Sequence, residues 1–406
     1  MVFDSASKNL FFFFFFFTMS TWQCLNQVKA RTYFSVLEFG ACADGKTDNS
    51  KAFMAAWNQA CNSLGENGVL IPTGVFLLRP VVFRGPCKSS MVFQIRGVLK
   101  APTDKASLLD HWISFQYIDQ LMINGGGSLD GEGASAWPLN NCSKDPNCPA
   151  LPVSMRLDFV TNSRISSITS INSKNFHFNI FACKNITISR IRISAPEDSP
   201  NTDGIHLGSS TDIRILDSVF GTGDDCISMG PGSKNININN VHCGPGHGIS
   251  IGSLGGSKKD ADVTGIVVRN CSLVGTSNGI RIKTWAPSYP LLVSNLTFEQ
   301  IKLRNVSNPI FIDQQYCPSR TCDQKSSSSV KIKDVKFTQI WGTTKSQVAV
   351  NLQCSKSTPC ERMELNDINM GYIGQGKGPK GHISITSSCA NVHGVASGKQ
   401  NPSSCL

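Results

Sequence analysis

The chain has 406 residues, enough for a large core, with 16% charged residues, 35 glycines and a net charge of +10. Few charges and abundant Gly and Asn exclude a protein of long helices and favour many strands joined by tight turns. A basic surface suits a polyanionic partner, but no Lys/Arg run or aromatic-basic interleaving marks a nucleic-acid module, so no nucleic-acid partner is expected.

The N-terminus carries Lys8, Leu10 and seven phenylalanines, Phe11 to Phe17. This run is too short to span a bilayer and resembles the apolar stretch of a secretory signal peptide. Residues 1–30 are therefore expected to be a leader cleaved between Ser20 and Ala30, and 31–406 a single domain. Nothing later in the chain reads as a membrane anchor. Sixteen cysteines fit an oxidising compartment. With Cys24 in the leader, fifteen remain and at least one is unpaired. Close pairs suggest local staples at Cys142/Cys148, Cys317/Cys322, Cys354/Cys360 and Cys389/Cys405. Sequons at Asn141, Asn185, Asn270, Asn295 and Asn305 agree with secretion. No Cys or His cluster has zinc spacing, so no metal is expected.

Residues 34–49 read as a strand and a turn. Asp48 or Asn49 then caps a helix over Ser50 to Cys61, with Phe53, Ala56, Trp57 and Ala60 on one face. That helix is expected to plug one end of a solenoid, and the Cys-rich tail after Tyr372 to cap the other. Gly125 to Gly127 form a turn cluster, not a phosphate loop, because no helix pattern or Lys follows.

Further along, an apolar-x-apolar-x-x-apolar pattern recurs. Its copies are Ile186/Ile188/Ile191, Ile213/Ile215/Ser218, Ile236/Ile238/Val241, Ile266/Val268/Cys271, Leu296/Phe298/Ile301, Val335/Phe337/Ile340 and Met363/Leu365/Ile368. The residues just before them are Asn185, Asp212, Asn235, Gly265, Asn295, Asp334 and Arg362. All but the last tolerate a left-handed backbone, so each copy reads as a strand entered by a sharp corner. Interleaved with it is a six-residue pattern: Asp203 to Gly208, Asp225 to Gly230, His247 to Gly252 and Asn278 to Lys283. The first three start 22 residues apart and the fourth starts 31 later. A strand that returns at this period suits the coil of a parallel β-helix, an all-β solenoid. A doubly wound α/β fold needs helices between strands, and the intervals here lack helical periodicity.

Strands stacked about 4.8 Å apart would line up Asp203, Asp225 and His247 at the strand entrances, with Asp224 one residue earlier. Carboxylates so close cannot all ionise easily, and one pKa should rise. One protonated acid beside ionised bases is what glycoside hydrolysis needs. A hard-cation site or structural turn aspartates are the alternatives. His247 can orient and tune a neighbouring acid. Arg281 and Lys283 share a face. Arg281 has the phase of His206, Ser228 and Ser250, and Lys283 that of Gly208, Gly230 and Gly252. A glycine column leaves a floor on which a ligand can lie, and two cations at its end would bind substrate carboxylates.

The motifs Asn201-Thr-Asp-Gly204, Gly223-Asp-Asp225, Gly246-His-Gly248 and Arg281-Ile-Lys283, in this order, resemble the four signature motifs of polygalacturonases, pectin hydrolases of glycosyl hydrolase family 28. The resemblance covers roughly residues 33 to 405, and is strongest to plant pollen exopolygalacturonases around Cys226 to Trp285 and Asp313 to Cys317. It implies a right-handed parallel β-helix and a monomeric secreted enzyme of the cell wall, without a cofactor, that takes pectin as substrate. By the same resemblance Asp224 is the general acid, and Asp203 and Asp225 activate water for inversion. His247 supports the acid, Arg281 and Lys283 bind the galacturonate carboxylate, and Tyr316 contacts substrate. Cys226–Cys243 and Cys61–Cys87 bridges are implied too. Cys42 and Cys183 have no obvious partners. Endo action by the same chemistry is the nearest alternative, and a catalytically silent pectin-binding wall protein the alternative of another class. The intact Asp trio with Gly-His-Gly argues against a pectate lyase.

Overall fold

A computed structural model describes residues 31–406 except 105–106, 141–147, 149, 319–321, 323–324 and 375–383. Residues 1–30, expected to be a leader, Asn141 and Cys142 lie outside the described residues. Among those described, one 11-stranded sheet holds Phe178–Phe181, Ile205–Gly208, Ile227–Met229, Ile249–Leu254, Asn278–Trp285 and Asn308–Tyr316 side by side in chain order. Their ladders are all parallel. We call it the site sheet. The apolar repeats form a larger corner sheet, also paired in parallel from each coil to the next. The chain is a right-handed parallel β-helix.

The corners follow from residue chemistry. All seven residues that precede the apolar repeats have positive φ, between 52° and 74°. Arg362, the one residue that breaks the Asn/Asp/Gly rule, is held there by its guanidinium, which donates through Nη2 to Asp334 on the coil before at 2.9 Å. The structure adds a second left-handed residue five positions after each first one: Arg190, Asp217, Asn240, Asn270, Gln300, Gln339 and Asp367. These residues place two left-handed positions in each repeat, so the corner sheet bends along it.

Between the corners the inward residues stack on their own copies. Ile186, Ile213, Ile236, Ile266, Leu296, Val335 and Met363 form one ladder across the corner sheet. Ile205, Ile227, Ile249, Ile280 and Ile310 form another across the site sheet. All are fully buried or nearly so. Each such side chain contributes about 1.5–3 kcal/mol relative to exposure.

The helix over Ser50–Cys61 closes the N-terminal end. Trp57 lies against Phe83, Phe93 and Phe115, with ring centroids 5.1–6.4 Å apart, and its indole N–H reaches the Arg84 carbonyl. Asn49 occupies the cap position, but its side chain bonds Cys42 and Leu77. Asp48 instead receives the Ser50 amide at 3.0 Å. At the other end, most of the expected cap is a further coil: Thr386–Ala390 extends the site sheet and Val392–Asn401 the corner sheet.

Disulfides join Cys61–Cys87, Cys226–Cys243, Cys317–Cys322, Cys354–Cys360 and Cys389–Cys405. Cys42 and Cys183 are free, and so is Cys271, whose thiol is buried within its apolar repeat. The sequon residues Asn185, Asn270, Asn295 and Asn305 all sit at left-handed corners. Among the described residues no helix is long and apolar enough to cross a membrane.

The Cys226–Cys243 bridge ties the strand after Asp225 to the turn that presents His247. Replacing both cysteines by Ala should lower unfolding stability by about 2–4 kcal/mol. The urea midpoint of the non-reduced variant, compared with the parent, reads this directly.

Candidate active site

Register brings the motif residues together. Ile205, Ile227 and Ile249 pair in sequence, so Asp203, Asp225 and His247 enter successive strands at the same level. Gly246, at φ 139°, allows His247 N–H to donate to the Asp224 carbonyl at 2.8 Å. A Cβ on Gly246 would sit 2.6 Å from that oxygen. Ser250 pairs with Arg281. Beyond Ile251 the ladder slips and resumes at Leu254, so Lys283 faces the Gly252–Ser253 step rather than Gly252 alone.

Each aspartate has a distinct environment. Asp225, 1% exposed, accepts from Ser250 Oγ at 2.7 Å and Arg281 Nη2 at 3.2 Å on Oδ1, and from Lys283 Nζ at 3.0 Å on Oδ2. Asp203 is buried and its Oδ2 lies 2.6 Å from Ser228 Oγ. Asp224 is the most accessible of the three, at 20%. Its Oδ1 meets His247 Nδ1 at 2.9 Å and the Asp225 amide at 2.7 Å. Arg281 and Lys283 are therefore not a solvated pair. They are largely buried against Asp225 and lie 5.9 and 5.3 Å from the centre of the Tyr316 ring, which packs edge-on against Trp285.

The electrostatics separate the carboxyls. Burial, then the charges of Asp224 and Asp225, push the Asp203 pKa well above the usual carboxylate range. Burial would raise Asp224 too, but the hydrogen bond and charge of His247, with Lys283 and the Asp225 amide, outweigh it and hold Asp224 low. His247 is raised in turn by Asp224, against its own burial. One carboxyl does rise, as crowding demands, and it is Asp203 rather than Asp224.

Ligand atoms of Asp224, Asp225 and His247 lie within 4.8 Å of one another. They fit a metal poorly. Both oxygens of Asp225 already carry cationic donors, and the imidazole nitrogen facing Asp224 is engaged. A cation placed there would meet Lys283 and Arg281 at close range.

The model of glycosyl hydrolases family 28 matches residues 61–405. The chain belongs to glycosyl hydrolase family 28. It is 46% identical to an exopolygalacturonase of Platanus acerifolia over 91% of this chain and 96% of that one. It is 47% identical to an exopolygalacturonase of Oenothera organensis (88% and 98%) and 45% identical to a polygalacturonase of Gossypium hirsutum (94% and 92%). Among solved structures it resembles the endo-xylogalacturonan hydrolase of Aspergillus tubingensis. The TM-score is 0.74 and the identity 24%, over 89% of this chain and all of that one. The exopolygalacturonase of Thermotoga maritima has TM-score 0.66 at 20% identity, over 83% and 88%. Both carry the same fold.

Sequence reasoning passed over three members of this hydrolase's site: His206, Ser228 and Ser250. Their shared phase with Arg281 was visible, but only the side-chain bonds reveal what they do. Ser250 Oγ accepts from Arg281 Nε at 3.2 Å and hands its own proton to Asp225. His206 Nδ1 lies 2.8 Å from Ser228 Oγ, and its ring stacks on Phe176 with centroids 4.7 Å apart.

A raised folded-state pKa makes the Asp203 charge a cost of folding. Between the ordinary and the raised value the folded state binds the extra proton, so this contribution worsens as pH rises and is absent below the ordinary value. Asp203→Asn should therefore raise Tm at pH 7 and leave it near the parent's at pH 3. Melting curves across that range check the sign.

Proposed function

We propose that the chain hydrolyses the α-1,4-galacturonosyl linkages of pectin, removing sugars from the chain end with inversion. The observation that carries the substrate is the buried Lys283–Arg281–Asp225 cluster beside Tyr316, at the end of the glycine floor. Two cations that outnumber their one carboxylate leave positive charge for an acidic sugar; a neutral one gives no reason for them. The names of the plant relatives support the same substrate. End-wise cleavage is supported by the names of two of those relatives, the exopolygalacturonases at 46% and 47% identity.

In this reading Asp224 is the general acid, with Asp203 and Asp225 disposed to activate water. His247, Lys283 and the Asp225 amide hold Asp224 low. A sugar carboxylate that takes Lys283 withdraws one charge that keeps it so, and water expelled by the substrate favours the protonated form further. His247 holds the proton nearby until then. Residues 1–30 act as the leader of a secreted enzyme that works in the cell wall.

Asp224→Asn should lower turnover by about 10²–10⁴ while the melting curve stays that of the parent. Parent-like hydrolysis of polygalacturonate by this variant would sink the assignment. Lys283→Met keeps the stem and removes the charge. Its affinity for trigalacturonate, titrated at low salt, should fall by about 1.5–3 kcal/mol. For the mode of attack, viscosity and reducing ends are followed together on polygalacturonate. End-wise release gives monomer with little early loss of viscosity, and a rapid collapse with mixed oligomers would place the enzyme in the endo class.

A further inference from the structure

Two serines on neighbouring rungs serve two acids in the same way, but their backers differ. Ser250 is backed by Arg281, whose guanidinium only donates, so the Ser250 hydroxyl can only donate onward to Asp225. Asp225 is thereby locked as an acceptor, with Arg281 and Lys283 completing its shell. Ser228 is backed by His206, whose Nδ1 either donates or accepts according to tautomer. The chain His206–Ser228–Asp203 therefore has two complete settings. With Asp203 ionised, the His206 N–H donates to Ser228 and Ser228 donates to Asp203. With Asp203 protonated, Asp203 donates to Ser228 and Ser228 donates to His206. Neither setting leaves a buried donor without an acceptor along the chain.

We propose that Asp203 alone takes the proton of the attacking water, and that His206 is a positioning residue that, through Ser228, keeps Asp203 hydrogen-bonded before and after it does so. Asp225 keeps both oxygens as acceptors throughout and holds the water and the two cations in place. The step balances. As the water oxygen bonds to the anomeric carbon, one water proton passes to Asp203. The bond from that carbon to the glycosidic oxygen breaks, and this oxygen takes the proton of Asp224. One water is consumed, and exchange with solvent returns the proton from Asp203 to Asp224.

The surroundings agree. The charged groups that face Asp203 are Asp224 and Asp225 from the following corner and Lys283 from the strand Asn278–Trp285. The two acids make Asp203 the better base. Asp225 and Lys283 also act on His206 with opposite signs, and burial lowers its pKa to about 4, so it works as a neutral ring with both tautomers open. Phe176 fixes the plane of that ring by stacking.

The inference rests on the hydrolase reading above, and two measurements separate their failures. Galacturonate release from trigalacturonate by the parent tests the reading; its absence sinks that reading. The relay is read by pH. Ser228→Ala removes a bond to the ionised form of Asp203, so the acid limb of kcat/KM should move up by about one pH unit. The same displacement should appear, without substrate, in the pH dependence of Tm. Ser250→Ala should lower kcat/KM with no movement of the acid limb. His206→Phe, which can neither donate nor accept, should lower kcat about tenfold, and His206→Gln, which can do both, should restore most of it. Equal movement of the limb in the two serine variants, or no movement in Ser228→Ala, would overturn the proposal, as would full activity in His206→Phe.

Discussion

Everything in this molecule depends on keeping successive coils in phase. A parallel stack has no intrinsic register beyond the two-residue pleat, and a slip of one residue would turn every inward isoleucine outward. The left-handed corners prevent it. Two such corners bound each bend of the corner sheet, five residues apart, and backbone there is sterically costly for most side chains. Asn, Asp and Gly go there at low cost, and cross-coil bonds such as Asn235 to Asp212 and Asn240 to Asp217 fasten one corner to the next. The apolar ladders supply the free energy. The corners decide which residues share a ladder.

The site is a by-product of that phase control. Its acids come from consecutive coils and stand close because the coils cannot drift. Crowding of like charge is relieved in two different ways on adjacent rungs. Asp225 is neutralised by fixed cations, and Asp203 is left to rise. Asp224, paired with His247 at the rim, is held low. Neighbouring coil positions thus push Asp203 and Asp224 in opposite directions, which is the condition for dividing acid and base work between carboxyls.

Much of this could be read in the sequence because repetition turns one-dimensional spacing into three-dimensional adjacency. The column of Asp203, Asp225 and His247, the common face of Arg281 and Lys283, and the helix over Ser50–Cys61 with Trp57 inward all follow from period and composition. What could not be read was the direction of side-chain bonding. Period places Ser228 and Ser250 alike, and only coordinates show one backed by a histidine and the other by an arginine. The second corner stayed hidden because Arg190, Gln300 and Gln339 interrupt the series of Asp217, Asn240, Asn270 and Asp367, so no Asn/Asp rule stands out at that position. The slip after Ile251 is equally local, a matter of one Gly–Ser step.

The insertion Gly255 to Asp262 makes the interval from His247 to Asn278 longer than the intervals before it, yet the strands on either side still pair, Ile249 with Ile280. Length added at a corner is absorbed outside the stack. For natural variation this means the scaffold tolerates change where the groove is bordered and resists it where the acids are aligned. Relatives can therefore diverge in the length and shape of the groove walls, and so in which polymer they admit, while the reacting groups stay fixed by the coils beneath.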